Sequence, residues 1–130
     1  IEKPQAMNYQ KWLRLIACAL FASQLLAMSY LAVRPASAVM PLIHTDKALH
    51  FIAYFTLMIW PFFLIKRSLI LFLATISIFL YGVIIELVQA AIPNRFCSIA
   101  DMAANLSGII VFTFTAQSRI MQQAKKWLHD

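Results

Sequence analysis

The sequence predicts an all-α membrane protein, a bundle of four transmembrane helices with both termini in the cytoplasm. Apolar residues make up 62% of the chain and charged residues only 12%, whereas soluble domains contain roughly 45–50% and 25%. The apolar residues form four runs, each near the ~20 residues that a helix needs to cross a bilayer. Lysine and arginine lie mostly between these runs, where they determine topology.

The four predicted spans cover residues 12–33, 48–65, 68–92 and 99–118. The first could instead belong to a cleaved signal peptide, since residues 36–38 read Ala-Ser-Ala, but its length favours an anchor helix. Trp60 is expected to lie at the membrane interface and Pro61 to kink the second span. Residues 1–6 resemble a leader added in cloning, so residues 7–130 form the single predicted domain, ending in an interfacial tail at 119–130.

The distribution of basic residues predicts the orientation. One side of the four spans carries eight lysines and arginines and the other side carries three, namely Arg34, Lys47 and Arg95. Because positive residues are retained in the cytoplasm, the loops after the first and third spans should face outward. The formal net charge of +6 is thereby explained by topology, and nucleic-acid binding is not expected, because no soluble basic face remains.

Polar residues from three separate segments are predicted to meet near the outer face. All the internal acids, Asp46, Glu86 and Asp101, fall at this level. An acid in a membrane span costs on the order of 2.5–3.5 kcal/mol, so such residues usually face the protein interior and mark a function. Helical spacing places each acid on one face with other polar residues. The predicted polar cluster comprises Asp46, Lys47, His50, Tyr54, Glu86, Gln89, Arg95, Asp101 and Asn105.

Each member of this cluster also has a purely structural interpretation. Asp46 and Asp101 could only complement helix dipoles, and Glu86 could form a structural salt bridge with Arg95. Gln89 and Asn105 could join helices by hydrogen bonds. Lys47 could extend toward lipid phosphates, His50 could be an ordinary interfacial histidine, and Tyr54 could be aromatic packing.

Three ordered motifs resemble those of VanZ-like membrane proteins. Residues 46–54 read DKALHFIAY, similar to the family's D-K-x-x-H-F-x-x-Y signature, and residues 82–89 read GVIIELVQ, similar to G-x-x-x-E-x-x-Q. Residues 95–108 contain the third pattern, an arginine followed by D-x-x-x-N-x-x-G. The resemblance implies a multi-pass protein of the bacterial cytoplasmic membrane, associated with low-level resistance to the glycopeptide teicoplanin, and implies no established reaction.

The first functional hypothesis is a protein that binds or modifies a membrane lipid or lipid-linked envelope precursor at the outer leaflet. Lys47, His50 and Arg95 would contact a phosphate or carboxylate, while Glu86, Gln89 and Asn105 order these cations. An enzyme acting on the same substrates is the second, with His50, Glu86 and Asp101 as candidate catalytic residues. A proton-coupled carrier is the third. No cofactor or metal is expected, and self-association of the chain is left open.

Overall fold

The computed structural model describes the backbone of residues 3–35 and 43–130, and the side chains of residues 9–35 and 46–130. The described residues form helices only. In chain order these are α1 (Lys3–Val33), α2 (Ile43–Leu57), α3 (Ile59–Leu64), α4 (Ser68–Ala90), α5 (Ile99–Ala116) and α6 (Arg119–His129).

Four segments of these helices are long and apolar enough to cross a membrane, which confirms the predicted all-helical architecture of four spans. They are Tyr9–Val33, Asp46–Leu64, Ser68–Ala90 and Ile99–Ala116. Large apolar side chains cover the outside, including Leu26, Leu69 and Phe114, each at least two-thirds exposed. Helices satisfy their own backbone groups and can present such a surface to lipid. The chain is therefore a multi-pass membrane protein.

The helix ends differ slightly from the predicted ones, and local chemistry explains the differences. The third span ends at Ala90 rather than residue 92, because Pro93 disfavours a helical conformation for the residue before it. The fourth span ends at Ala116 rather than 118. Ser118 instead begins α6, where its hydroxyl accepts a hydrogen bond from the backbone N–H of Met121.

Pro61 divides the second span into α2 and α3. The break falls at Met58, because the proline ring removes the hydrogen bond to the carbonyl four residues earlier, that of Leu57, and clashes with it. The interfacial position of Trp60 stays a prediction, while the structure shows a contact within the bundle. The indole nitrogen of Trp60 donates to the Gln24 side chain of α1 over 2.7 Å, so this tryptophan joins two spans.

Helices α2 and α5 come into backbone contact at Gly108. A Cβ added there would collide with the backbone carbonyl oxygen of Phe51 and lie 3.0 Å from the backbone nitrogen of Phe55. Membrane helices associate through close packing rather than through the hydrophobic effect, and small residues at the interface allow their backbones to touch. One turn further along α5, Phe112 fills the interior, with its ring edge-on to Phe55 at 5.4 Å and to Phe62 at 5.8 Å.

The C-terminal helix α6 contacts the end of the bundle that carries Lys66. Gln10 donates to the carbonyl of Trp127 over 3.1 Å, and Arg14 lies 2.7 Å from His129 Nδ1. Because a guanidinium can only donate, Nδ1 accepts, and Nε2–H donates to the carbonyl of Phe63 over 2.9 Å. Partial burial, and then the charge of Arg14, lower the pKa of His129, so its neutral form holds α6 against α1 and α3.

Candidate functional site

The site is built mainly where α2 and α5 face each other, one to two turns from Gly108. Asp46 lies in the first turn of α2 and Asp101 in the first turn of α5. Asp101 is buried, and its backbone N–H donates to the capping hydroxyl of Ser98 over 3.2 Å. The positive ends of the two helices therefore support carboxylates at the same end of the bundle.

Two pairs of side chains connect these helices. The Lys47 ammonium donates to Asp101 Oδ1 over 3.1 Å. His50 Nδ1 lies 3.0 Å from Asn105 Oδ1, and because an amide oxygen only accepts, Nδ1 carries the proton. The other ring nitrogen of His50, Nε2, faces Asp46 Oδ1 at 3.8 Å. Nε2 is therefore the ring nitrogen that Asn105 leaves free for another contact.

Glu86 of α4 is completely buried but does not pair with Arg95. Its Oε2 accepts the backbone N–H of Ser98 over 3.0 Å, so it supports the N-terminus of α5. Its Oε1 has no hydrogen-bond partner among the described residues. The alternative of a structural Glu86–Arg95 salt bridge is therefore wrong for the described structure, and the carboxylate is only half satisfied.

Arg95 contacts α1 instead. Its Nε donates to the carbonyl of Arg34 and its Nη2 to the carbonyl of Leu31, both over 3.2 Å. These are carbonyls at the C-terminal end of α1, which lack partners within that helix. Asn94, at φ 62°, turns the chain just before Arg95, a left-handed conformation that asparagine tolerates well.

Gln89 also reaches α1 rather than the cations of α2. Its side-chain nitrogen donates to the carbonyl of Ala32 over 3.2 Å. Tyr54 is buried, and its hydroxyl occupies the space beside Gly82, where an added Cβ would lie 2.8 Å away. Of the residues expected to order His50, only Asn105 contacts it directly.

A cavity of about 260 Å³ opens between α1, α2 and α4 beside these groups. It is lined by polar side chains from the predicted cluster and by apolar side chains of all three helices. The polar ones are Asp46, His50, Tyr54, Gln89 and Arg95; the apolar ones include Leu31, Leu49, Ala53 and Ile85. Asp101 and Lys47 lie outside this lining, on the α5 side of α2.

Sequence reasoning missed the contribution of α1. Besides lining the cavity, α1 supplies Ser29, whose hydroxyl lies 2.8 Å from that of Tyr81. It also supplies Gln24, which donates to the carbonyl of Ala53 and the hydroxyl of Thr56. A glutamine in an otherwise apolar span was the available signal, since a polar residue in lipid needs a partner on another helix.

The structure also brings together three groups that could hold a metal ion, although none was expected. One ligand atom each from Asp46, His50 and Asp101 lie within 4.8 Å of one another. The sequence signal was indirect: Asp46 and His50 share a helix face, but the third group comes from another helix.

The chain was also compared with models of protein families. The family model described as VanZ/LLP1 covers residues 4–121, well beyond the 46–108 stretch that carries the three motifs. A comparison with the curated proteins found no match, and neither did a comparison with the solved structures.

Proposed function

We propose, since this chain belongs to the VanZ/LLP1 family, that it binds the phosphate-bearing headgroup of a membrane lipid or lipid-linked envelope precursor. The observation that supports this most is the mixed lining of the 260 Å³ cavity. Arg95, His50, Gln89 and Asp46 provide polar contacts, while the remaining wall is apolar. Pockets for drug-sized ligands measure roughly 300–1,000 Å³, so this smaller one suits a headgroup rather than a whole lipid.

Arg95 is the residue that would bind the phosphate. Two of its donor nitrogens each give one hydrogen bond to α1, and a guanidinium has five N–H donors. The remaining donors suit the oxygens of a phosphate, which arginine binds in a planar, two-pronged geometry. The contacts to α1 hold the guanidinium in position, so little side-chain entropy is lost on binding.

The proposed location follows from the count of basic residues. The cavity lies at the end of the bundle that carries Arg34 and Arg95, which the positive-inside rule assigns to the outer face. In a bacterial cytoplasmic membrane, this position gives access to outer-leaflet headgroups. Cysteine labelling of single-cysteine variants in intact cells would test the orientation: a cysteine replacing Asn94 should react with an impermeant reagent, and one replacing Arg67 should not.

A filled-cavity variant tests the binding proposal without removing any polar group. Ala53 lines the cavity, so Ala53→Phe should displace the headgroup. Ala74 lines a separate, mainly apolar groove nearer Lys66, and Ala74→Phe is the matched control. In nanodiscs containing phosphatidylethanolamine and phosphatidylglycerol, native mass spectrometry should show lipid retained by the wild type and the control, and retention at least tenfold weaker in Ala53→Phe. Equal retention by all three would contradict the proposal.

Modification of the headgroup is a second candidate, favoured by the state of His50. Its Nδ1–H is held by Asn105, so Nε2 is the candidate base of a side chain that lines the cavity. Asp101 and Glu86 would then act on His50 only through the electrostatic effect of their carboxyl groups. Release of phosphate from labelled lipid by the wild type, abolished in His50→Ala and preserved in Ala74→Phe, would distinguish catalysis from binding alone.

The link to glycopeptide resistance is proposed on the same basis. Occupying or altering an outer headgroup would change the surface that teicoplanin, a lipid-bearing antibiotic, must approach. Expression of the wild type should raise the inhibitory concentration of teicoplanin, and Ala53→Phe should return it to the level of the empty vector while accumulating normally in the membrane. An unchanged effect of Ala53→Phe would separate resistance from the cavity.

A further inference from the structure

We infer that Asp46, His50 and Asp101 form a binding site for a divalent transition-metal cation such as Zn²⁺. Their three ligand atoms lie within 4.8 Å of one another. Asp46 and His50 come from α2, and Asp101 comes from α5. The site rests on these side chains alone and does not require that a lipid occupies the cavity.

The geometry is close to that of a metal centre. In a tetrahedral zinc site, ligand atoms ~2.0–2.2 Å from the metal lie about 3.4 Å from each other. His50 Nε2 and Asp46 Oδ1 are 3.8 Å apart, so small side-chain rotations would bring the ligands into range. Three protein ligands leave a fourth position open, as in catalytic rather than structural zinc sites. A mixed imidazole and carboxylate set favours Zn²⁺ over Mg²⁺.

The orientation of His50 suits metal binding. Histidine ligands almost always donate their second ring N–H to an oxygen, which fixes the tautomer and the ring orientation. Here Nδ1–H donates to Asn105 Oδ1 over 3.0 Å, and Asn105 is buried. Nε2 is therefore the ring nitrogen left for a metal, and it faces Asp46 Oδ1 at 3.8 Å.

A buried and only half-satisfied carboxyl group lies next to this cluster. Glu86 is completely buried, with one oxygen unpartnered among the described residues, and its other oxygen accepts the N–H of Ser98, three residues before Asp101. Among the described residues, Asp101 pairs with Lys47 and Asp46 faces His50. A divalent cation would compensate the negative charge of the two aspartates, which is costly inside a membrane protein without such a partner.

Lys47 occupies the position from which a metal would displace it. Its ammonium lies 3.1 Å from Asp101 Oδ1, and its side chain is 38% exposed, so it can move toward solvent. Metal and lysine therefore compete for the same carboxylate group, that of Asp101. Removing the lysine should tighten metal binding, an effect that a purely structural role for this ion pair does not produce.

The test uses the full chain in nanodiscs, with Co²⁺ as a spectroscopic probe and Zn²⁺ as a competitor. Wild type should bind one equivalent of Co²⁺ with visible absorption typical of low coordination number, and Zn²⁺ should displace it. His50→Ala and Asp46→Asn should weaken binding at least tenfold. Asp46 is half exposed, so Asp46→Asn should fold even where a buried variant does not.

Two further variants make the outcome specific. Lys47→Met should bind Zn²⁺ several-fold more tightly than wild type. The control Lys11→Met changes a lysine of α1, a helix that supplies none of the three ligands, and should bind Zn²⁺ as the wild type does. Unchanged affinity in Asp46→Asn and His50→Ala, or weaker binding in Lys47→Met, would overturn the site. Displacement of Co²⁺ by an equal concentration of Mg²⁺ would overturn its assignment to a transition metal.

Discussion

Replacing Gly108 with alanine should weaken the bundle and disturb the site together. The added Cβ would meet backbone atoms of α2, overlapping the carbonyl oxygen of Phe51 and lying 3.0 Å from the nitrogen of Phe55. Backbone cannot rotate away as a side chain can, so α2 and α5 must separate by roughly 1 Å to restore ordinary van der Waals contact. Such overpacking typically costs ~1–3 kcal/mol.

The same separation acts on the polar pairs between these helices. The His50–Asn105 hydrogen bond is 3.0 Å long, and an added ~1 Å takes it beyond the ~3.2 Å limit of a normal N–H···O bond. A hydrogen bond between membrane helices contributes about 0.6 kcal/mol on average. Alanine itself favours the helix over glycine by about 1 kcal/mol. Together these terms give a net loss of roughly 0.5–2.5 kcal/mol.

The measurement is equilibrium unfolding in mixed micelles of increasing SDS content, followed by circular dichroism. Gly82→Ala is an informative comparison, because its Cβ would meet the ends of side chains, the Tyr54 hydroxyl at 2.8 Å and the Asn105 amide nitrogen at 3.1 Å, which can shift. Ser107→Ala, on the exposed face of α5, is the matched control. A Gly108→Ala protein as stable as Ser107→Ala would refute backbone contact between α2 and α5.

Three other perturbations have defined outcomes. Burial and the charge of Arg14 lower the pKa of His129, so its stabilising contribution is complete above its ordinary pKa of ~6.5 and is lost as the pH falls. Protection factors of the α6 amides, which compare each exchange rate with the intrinsic rate at the same pH, should therefore fall between pH 7.5 and 5.5, and should not change in His129→Gln. Gln24→Leu removes the acceptor of the Trp60 indole and two hydrogen bonds that Gln24 donates. It should lower the free energy of unfolding in SDS by ~1–3 kcal/mol. An unchanged free energy of unfolding would contradict a shared network. Ser98→Ala removes the side-chain cap of α5 but keeps the backbone N–H that is bonded to Glu86, and should cost ~0.5–2 kcal/mol of stability. Ser98→Pro also removes this N–H. An equal loss of stability in the two variants would contradict separate contributions from the cap and the N–H.

Composition and periodicity were sufficient to predict the four spans, because each is a long apolar run ended by charge or proline. They were not sufficient to identify partners across helices. The alternative of a salt bridge between Glu86 and Arg95 shows this, because Arg95 instead binds carbonyls of α1. In a loop, an arginine can reach any unpaired helix terminus nearby, and spacing along one chain does not reveal which terminus that is. The orientation of the bundle stays a prediction.

The proximity of Asp46 and His50 to Asp101 was likewise beyond the sequence, because it depends on the register between α2 and α5. A helix slid by one turn moves a side chain by about 5.4 Å, more than the 4.8 Å within which the three ligand atoms lie. Gly108, where α5 meets the backbone of α2, is where the structure sets that register.

Both glycines of the chain stand one turn from a buried polar residue, and the structure gives the reason. Gly108 follows Asn105 by three positions and brings α5 against the backbone of α2, within reach of His50. Gly82 precedes Glu86 by four and leaves room for the amide of Asn105. Polar groups in a membrane protein are tolerated when a neighbouring helix is close enough to satisfy them. The missing side chains therefore create the polar site, and any substitution that widens these crossings should act on stability and on ligand binding in parallel.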